Sequence, residues 1–330
     1  MPQKASGLAT FNITGYIALM QPFRCHSIYQ PRIWGGQKMR TALNRDLPDH
    51  NESYGEAWEI SDREEAMSTI RDGEWAGKTL HSLWTEHRQE IFGPGYDAMP
   101  HFPLLCKILD ARENLSVQVH PPARTAQKWN GDVKNEIWYI LQAEPEAVIY
   151  SGMDDSAPLT DIRRAAETGG MERLLHAAHL NRGEHVYIPS GLVHAIGAGY
   201  LIAEIQQNSD TTYRLYDWNR KDASGRGRDL HLKQSLDSIE EFRALNSNPA
   251  YLTDMPHFTI SEYRLRQGEQ FTQEDAAHFA VLAILQGAVA WDGLKARQGE
   301  FIISPVHALP VTAAEPDTVI LTVTACTAPS

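Results

Sequence analysis

Apolar positions along the chain fall in short runs of β-branched, aromatic and aliphatic residues, cut at short intervals by Gly, Pro and Asp. Residues 115–119, 136–141, 147–150, 185–188, 200–206 and 281–285 read as strands, and their spacing predicts a barrel or sandwich. Helical periodicity is rare. Residues 79–91 carry Leu80, Leu83, Trp84 and Ile91 on one side, with Gly93 as a stop. Residues 159–166 and 171–178 also read as helices, split by Gly169 and Gly170. A short unit occurs twice. Gly183 opens GEHVYIP and Gly299 opens GEFIISP, each a Gly turn followed by a β run that ends at Pro. Two copies predict two related barrels, of which the second lacks the Gly and His that follow in the first and is expected to hold no metal.

The same punctuation divides the chain. Residues 1–21 read as an extension ahead of the domain. The stretch from 7 to 20 is mildly apolar, but Asn12 and Thr14 interrupt it and no small-residue cleavage site follows. Residues 22–245 hold nearly all the unusual chemistry. Residues 246–330 form a β-rich tail, with Asn246, Asn248 and Pro249 marking the joint.

Composition narrows the function. Hydrophobic residues make up 42% and charged residues 22%, a balance that supports a sizeable core. The formal net charge of -12 argues against nucleic acid or an anionic membrane as partner, and requires any anionic substrate to be gripped by a local basic site. No apolar stretch is long enough to span a bilayer. The three cysteines, Cys25, Cys106 and Cys326, make neither a disulfide framework nor a metal pair, and point to reduced thiols in a cytoplasmic protein.

Three segments carry candidate chemistry. In residues 115–121, alternation puts Ser116, Gln118 and His120 on one strand face and Val117 and Val119 on the other. If that polar face is buried, it needs partners, and a metal ion is one; if it is solvated, it needs none. In residues 134–140, Glu136 shares a face with Trp138 and Ile140, so its carboxylate lies beside apolar groups unless it sits at a strand edge in water. The third segment is the most specific. A strand ends at Pro189, Gly191 permits a tight turn, and His194 opens the next strand. It resembles the second half of the cupin motif, in which the His ligates metal, although Ala198 stands where cupins often carry Asn. Gln118, His120, Glu136 and His194 make a mixed nitrogen and oxygen set suited to zinc or another first-row ion. Without a Cys ligand it is an open, catalytic kind of set. His101, His185 and His231 remain alternatives at this stage.

The segments PLLCKILDARENLSVQVHPP, KNEIWYIL, VYIPSGLVHAIGAG and EIQQNSDTTYRLYDWNR, in that order, resemble type I phosphomannose isomerases. RIWGG (32–36) and YGEAWEIS (54–61) are similar to the shorter bacterial branch of that family. The resemblance implies a mainly β, cupin-type jelly-roll fold with a small helical insertion, and one zinc ion per chain on Gln118, His120, Glu136 and His194. It further implies interconversion of mannose 6-phosphate and fructose 6-phosphate, with Arg214 and Lys134 as functional residues and Ser116 and Lys107 lining the pocket. Passing a proton between adjacent carbons through a cis-enediol requires a base and a cation at the developing oxyanion. Lys134, Glu204 and Asp210 are the candidates for proton transfer. A structural pairing of Arg214 with Asp210 is the plain alternative for that arginine. Two rival readings are kept: a non-catalytic sugar-binding or regulatory cupin, and an isomerase of unphosphorylated sugars.

Overall fold

A computed structural model describes residues 19–154, 157–221, 224–239 and 257–327. It is mainly β. A six-stranded sheet runs in the order Ile28–Gly36, Tyr54–Ile60, Leu104–Ala111, Tyr200–Gln207, Glu136–Ala143, His185–Ile188. Facing it is a five-stranded sheet ordered Tyr213–Tyr216, Val117–Val119, His194–Ile196, Ile149–Met153, Leu175–Ala178. Two four-stranded sheets, built from residues 258–325, make a second sandwich. These are the jelly-roll layers of a cupin-type fold.

The continuous apolar runs follow from sheets that are covered on both faces. All eight residues of Leu104–Ala111 are buried. Alternation sends Leu109, Trp138, Ile140 and Ile202 into the first barrel, where they pack with Leu115 and with Ile149 and Ile196 of the five-stranded sheet. Cys106, Ile108, Ile137, Tyr139, Ala203 and Ile205 point the other way. There they meet Phe258, Val281, Ala283 and Leu321 of the second sandwich and Leu80, Leu83 and Trp84 of a short helix. The outer face of the five-stranded sheet, with Val117 and Val119, is covered by Ile162 and Ala166 of the helix Leu159–Thr168.

The repeated Gly-to-Pro unit corresponds to equivalent strands. His185–Ile188 is the edge strand beside Glu136–Ala143, which in turn pairs with Tyr200–Gln207; Phe301–Ser304 is the edge strand beside Ala280–Gln286, which pairs with Thr318–Ala325. Gly183 and Gly299 both adopt positive φ, +89° and +83°. The proposed joint at residues 246–249 lies outside the described residues, as do residues 1–18. Met20 and Phe23 bridge to Ala308 and Ile303, so the end of the expected extension is stitched into the second sandwich.

Two helix expectations need adjustment. Residues 79–91 divide into an α-helix, Leu80–Glu86, capped by the Thr79 side chain on Ser82 N–H, and a wider turn, Arg88–Phe92, that ends at Gly93 with φ +91°. Residues 171–178 are not one helix. A single 3-10 turn, Met171–Arg173, leads into the strand Leu175–Ala178, which pairs with Ile149–Met153. A short apolar run with no cap is better satisfied by an open sheet edge than by two helical turns. The short helices Ala123–Trp129 and Leu232–Ser238 carry no clear periodicity and had no sequence expectation.

RIWGG is explained by close packing. A Cβ on Gly35 would lie 2.4 Å from Gly55 N, and one on Gly36 would lie 2.4 Å from the buried Asp110 carboxylate. That carboxylate accepts the Lys38 and Met39 N–H groups, so it cannot step aside cheaply. Gly35→Ala should cost about 1–3 kcal/mol through overpacking, seen as a lowered denaturant midpoint at unchanged m value; an unchanged midpoint would contradict the packing.

Candidate active site

One face of the first barrel is polar although it is inside. Ser116, Gln118 and His120 project inward from one side of Val117–Val119, and the strand register sets His194 directly across from Gln118, with Arg214 on Gln118's other flank. The opposing sheet supplies Glu136 at the start of its strand, and pairs Glu204 with Lys107 on one side and with Trp138 on the other. The loop before Glu136 is held by Asn135. Its Oδ1 accepts Tyr187 OH at 3.1 Å and Ser190 N–H at 2.9 Å, while its Nδ2 donates to Gln207 Oε1 at 2.7 Å. Gly191, at φ +88°, lets its N–H reach the His120 carbonyl at 2.8 Å, which ties the two histidine-bearing segments together.

His120, Glu136 and His194 are fully buried, and their ligand-type atoms lie within 4.8 Å of one another. Glu136 Oε1 is 3.5 Å from Nε2 of each imidazole. The other ring nitrogen of each histidine faces a carbonyl oxygen, Thr211 at 3.0 Å for His120 and Leu192 at 2.8 Å for His194. A carbonyl only accepts, so each Nδ1 carries the proton. Burial and nearby positive charge push both imidazoles below their ordinary pKa, His194 to about 3, so the rings are neutral. Each Nε2 therefore turns a lone pair inward. Glu136 is ionised too: burial works against its charge, but the Lys134 ammonium outweighs that and holds it well below the usual carboxylate range. Two lone pairs and a carboxylate oxygen thus converge. Glu136 Oε1 and His120 Nε2 have no hydrogen-bond partner. That arrangement is costly unless a cation sits among them.

Gln118 Nε2 stands 3.3 Å from His194 Nε2, and its Oε1 is 3.5 Å from Ser116 Oγ. Rotating the amide by half a turn exchanges the two atoms and presents oxygen to the cluster, an assignment that hydrogen-bond partners decide. Lys134 Nζ lies 2.8 Å from Glu136 Oε2, as a charge contact without hydrogen-bond alignment. Burial opposes the ammonium, but Glu136 and Glu204 dominate and raise its pKa, so it stays charged.

Above this floor opens a cleft of about 410 Å³, and Lys107, Ser116, Gln118, Lys134, Glu204, Asp210 and Arg214 all line it. Burial, together with the charge of Glu136, raises the Glu204 carboxyl to about 7 despite Lys134 and Lys107. The Trp138 indole donates to its Oε2 at 3.0 Å. Lys107 Nζ bridges Glu204 and Asp210 at 3.6 and 3.5 Å. Asp210 is therefore not the partner of Arg214. Among the described residues no carboxylate pairs with Arg214, whose Nη1 donates to the Asp229 carbonyl at 2.8 Å and whose Nε is buried without a partner.

The remaining histidines stand apart. His185 stacks near Tyr139, His231 Nδ1 accepts the Arg214 N–H at 3.0 Å, and His101 neighbours Asp62. Ala198 is exposed beyond the histidine strand, and its N–H donates to Asn114. Sequence reasoning did not single out Arg32, Glu56 and Arg228, which also line the cleft. Arg32 donates to Glu56 at 2.9 Å, and the Trp58 indole donates to the same oxygen at 2.8 Å. The signal was present: Arg32 stands in RIWGG and Glu56 in YGEAWEIS, each a charge inside an aromatic strand.

Residues 22–150 match the family model described as phosphomannose isomerase type I, catalytic domain. The chain is 35% identical over 302 residues to mannose-6-phosphate isomerase of Streptococcus mutans, covering 87% of this chain and 93% of that one. The crystal structure of the mannose 6-phosphate isomerase from Bacillus subtilis superposes with a TM-score of 0.78 at 26% identity, over 92% of this chain and all of that one. A mannose 6-phosphate isomerase bound with zinc and yttrium shares the fold, with a TM-score of 0.66 at 16% identity over 93% of this chain and all of that one. With a relative of that identity matched over nearly its whole length, and the family's motifs gathered in one cleft, the chain belongs to the type I phosphomannose isomerases.

Proposed function

We propose that the protein interconverts mannose 6-phosphate and fructose 6-phosphate at a single zinc ion held by His120, Glu136, His194 and the rotated amide of Gln118. The observation that carries this reading is the convergence of two inward imidazole lone pairs and an unpartnered carboxylate oxygen at the buried floor of the cleft. The zinc named for a fold neighbour agrees with it. When bound, zinc supplies Lewis acidity to a carbonyl or hydroxyl oxygen of the sugar. The catalytic barrel spans residues 22–245, and residues 246–330 form the metal-free partner barrel.

The chain's own residues divide the remaining work. Glu204 is the proton-transferring base, because a carboxyl raised to about 7 accepts a proton well while remaining substantially ionised near neutral pH. Lys134 stays charged and stabilises negative charge or returns a proton to oxygen. Lys107 orients Glu204 and Asp210. Arg214, free of any carboxylate partner among the described residues, meets the developing oxyanion or the phosphate. Ser116 lines the floor. An overall negative chain needs such local cations to hold a dianion, which favours the phosphorylated sugar. The reaction passes through a cis-enediol, since the proton leaves one carbon and returns to its neighbour on one face.

Elemental analysis of protein purified without added metal should find one zinc per chain, and His120→Ala should lose most of it; metal-free protein with full activity would end the idea. Arg214→Ala should lower kcat about 10²-fold, with a smaller change in KM, if it meets charge that develops in the transition state. An unchanged kcat/KM would remove Arg214 from the site. Equal rates on mannose and mannose 6-phosphate would favour the unphosphorylated-sugar reading. For the base, the sign follows from its raised pKa. The active form is the carboxylate, so kcat/KM falls as pH drops through the Glu204 pKa. A bound cation favours the ionised form and moves that limb below about 7, not above. Glu204→Gln should lose about 10²–10⁴-fold in kcat; retention of wild-type kcat would assign the proton elsewhere.

A further inference from the structure

Imidazoles converge on a buried carboxylate at a second place. Asp62 lies at the foot of a two-stranded ribbon, with its side chain fully enclosed. Its Oδ2 is fixed by the Phe102 N–H at 2.8 Å. Its Oδ1 faces two ring nitrogens, His81 Nδ1 at 2.9 Å and His101 Nδ1 at 3.6 Å. His81 is on the first turn of Leu80–Glu86, and His101 is bracketed by Pro100 and Pro103. The three ligand-type atoms lie within 4.8 Å of one another.

A hydrogen-bonded pair between Asp62 and His81 explains part of this cluster but leaves His101 over. Its Nδ1 is buried and has no hydrogen-bond partner, though it points at the carboxylate. The spacings have a simple meaning. Two ligands about 2.0–2.1 Å from a first-row ion are about 2.9 Å apart at a right angle and about 3.4 Å apart at a tetrahedral one. The observed 2.9 and 3.6 Å bracket that range. The N–H on Oδ2 holds the carboxylate in place, as outer hydrogen bonds do at metal centres.

We propose that Asp62, His81 and His101 form a second divalent transition-metal site, distinct from the catalytic cluster. Two imidazoles and one carboxylate suit Zn²⁺, Co²⁺ or Ni²⁺. The open side of the site gives onto a cleft of about 600 Å³, larger than the catalytic one and edged by Glu64, Glu65 and Asp132. Arg63 edges the same cleft and pairs with Glu65 at 2.5 Å and Asp132 at 3.8 Å, so Glu64 is the carboxylate left to attract a cation, and water from the cleft completes its coordination. With three protein ligands, both histidines among them more than a third exposed, the ion is held more weakly than at the fully buried catalytic cluster.

The position gives the ion a structural role. Asn208 Nδ2 donates to the Asp62 carbonyl at 3.0 Å, and Arg63 donates to the Asn208 carbonyl at 3.1 Å. Asn208 is two residues from Asp210 in the catalytic cleft. An ion on Asp62 therefore braces the turn that carries Asp210.

The test is a titration of the metal-loaded enzyme with Co²⁺ or Zn²⁺, counting equivalents per chain by equilibrium dialysis. Wild type should bind one equivalent beyond the resident ion, with a rise in Tm. His101→Ala and His81→Ala should keep the resident ion and isomerase activity but weaken the added equivalent at least tenfold and lose the Tm rise. His120→Ala should do the reverse, losing the resident ion and keeping the other, so the two sites fail independently. Saturation of wild type without an added equivalent, or an added equivalent that survives in both His101→Ala and His81→Ala, overturns the proposal.

Discussion

A buried, ionised Glu136 is the constraint around which the first barrel is arranged. Burial pushes that carboxyl up, yet the Lys134 ammonium beside it outweighs burial and keeps it charged. The same charge keeps Lys134 protonated and helps to push Glu204 the other way, to about 7. One carboxylate thus separates two carboxyls into different roles: Glu136 fixed and ionised, Glu204 poised to gain or lose a proton. Pairs of acids whose surroundings drive their pKa values apart are a common sign of divided catalytic labour.

The fold supplies what this charge needs, which is rigidity and exclusion of water. The strands behind Glu136 and Glu204 are covered on both faces, by the barrel interior on one side and by the second sandwich and Trp84 on the other. Asn135 locks the approach to Glu136 through contacts to the strand and turn of Tyr187 and Ser190 and to Gln207. The second sandwich therefore contributes by burying the outer face of the catalytic sheet. Its edge strand Phe301–Ser304 repeats the place of His185–Ile188, but no counterpart of Gly191 follows Pro305, and its turn histidine, His307, stands two residues after the Pro, nearer than His194 stands to Pro189.

Much of the site was legible because alternation in a strand is local. Ser116, Gln118 and His120 face inward and Val117 and Val119 outward, as a period of two requires. His194 was legible from the Gly turn before it, and the resemblance to the isomerase family joined these pieces before any geometry. What could not be read was long-range. Nothing near Asp210 says that it meets Lys107 rather than Arg214, since that choice depends on strands far apart in sequence coming into register. The strand at Leu175–Ala178 looked helical because the edge it completes, Ile149–Met153, lies elsewhere in the chain. Arg32 and Glu56 were hidden for a similar reason: their charges make sense only once the Trp58 indole and Lys107 are beside them.

The inward-facing cluster is proposed to be held together by a metal ion. Anomalous diffraction at the zinc edge, from crystals of protein purified without added metal, tests it most directly. A single strong peak is expected within bonding distance, about 2.0–2.2 Å, of His120 Nε2, His194 Nε2 and a Glu136 carboxylate oxygen. A cluster without an anomalous peak, closed by water or by the Lys134 ammonium alone, would contradict it.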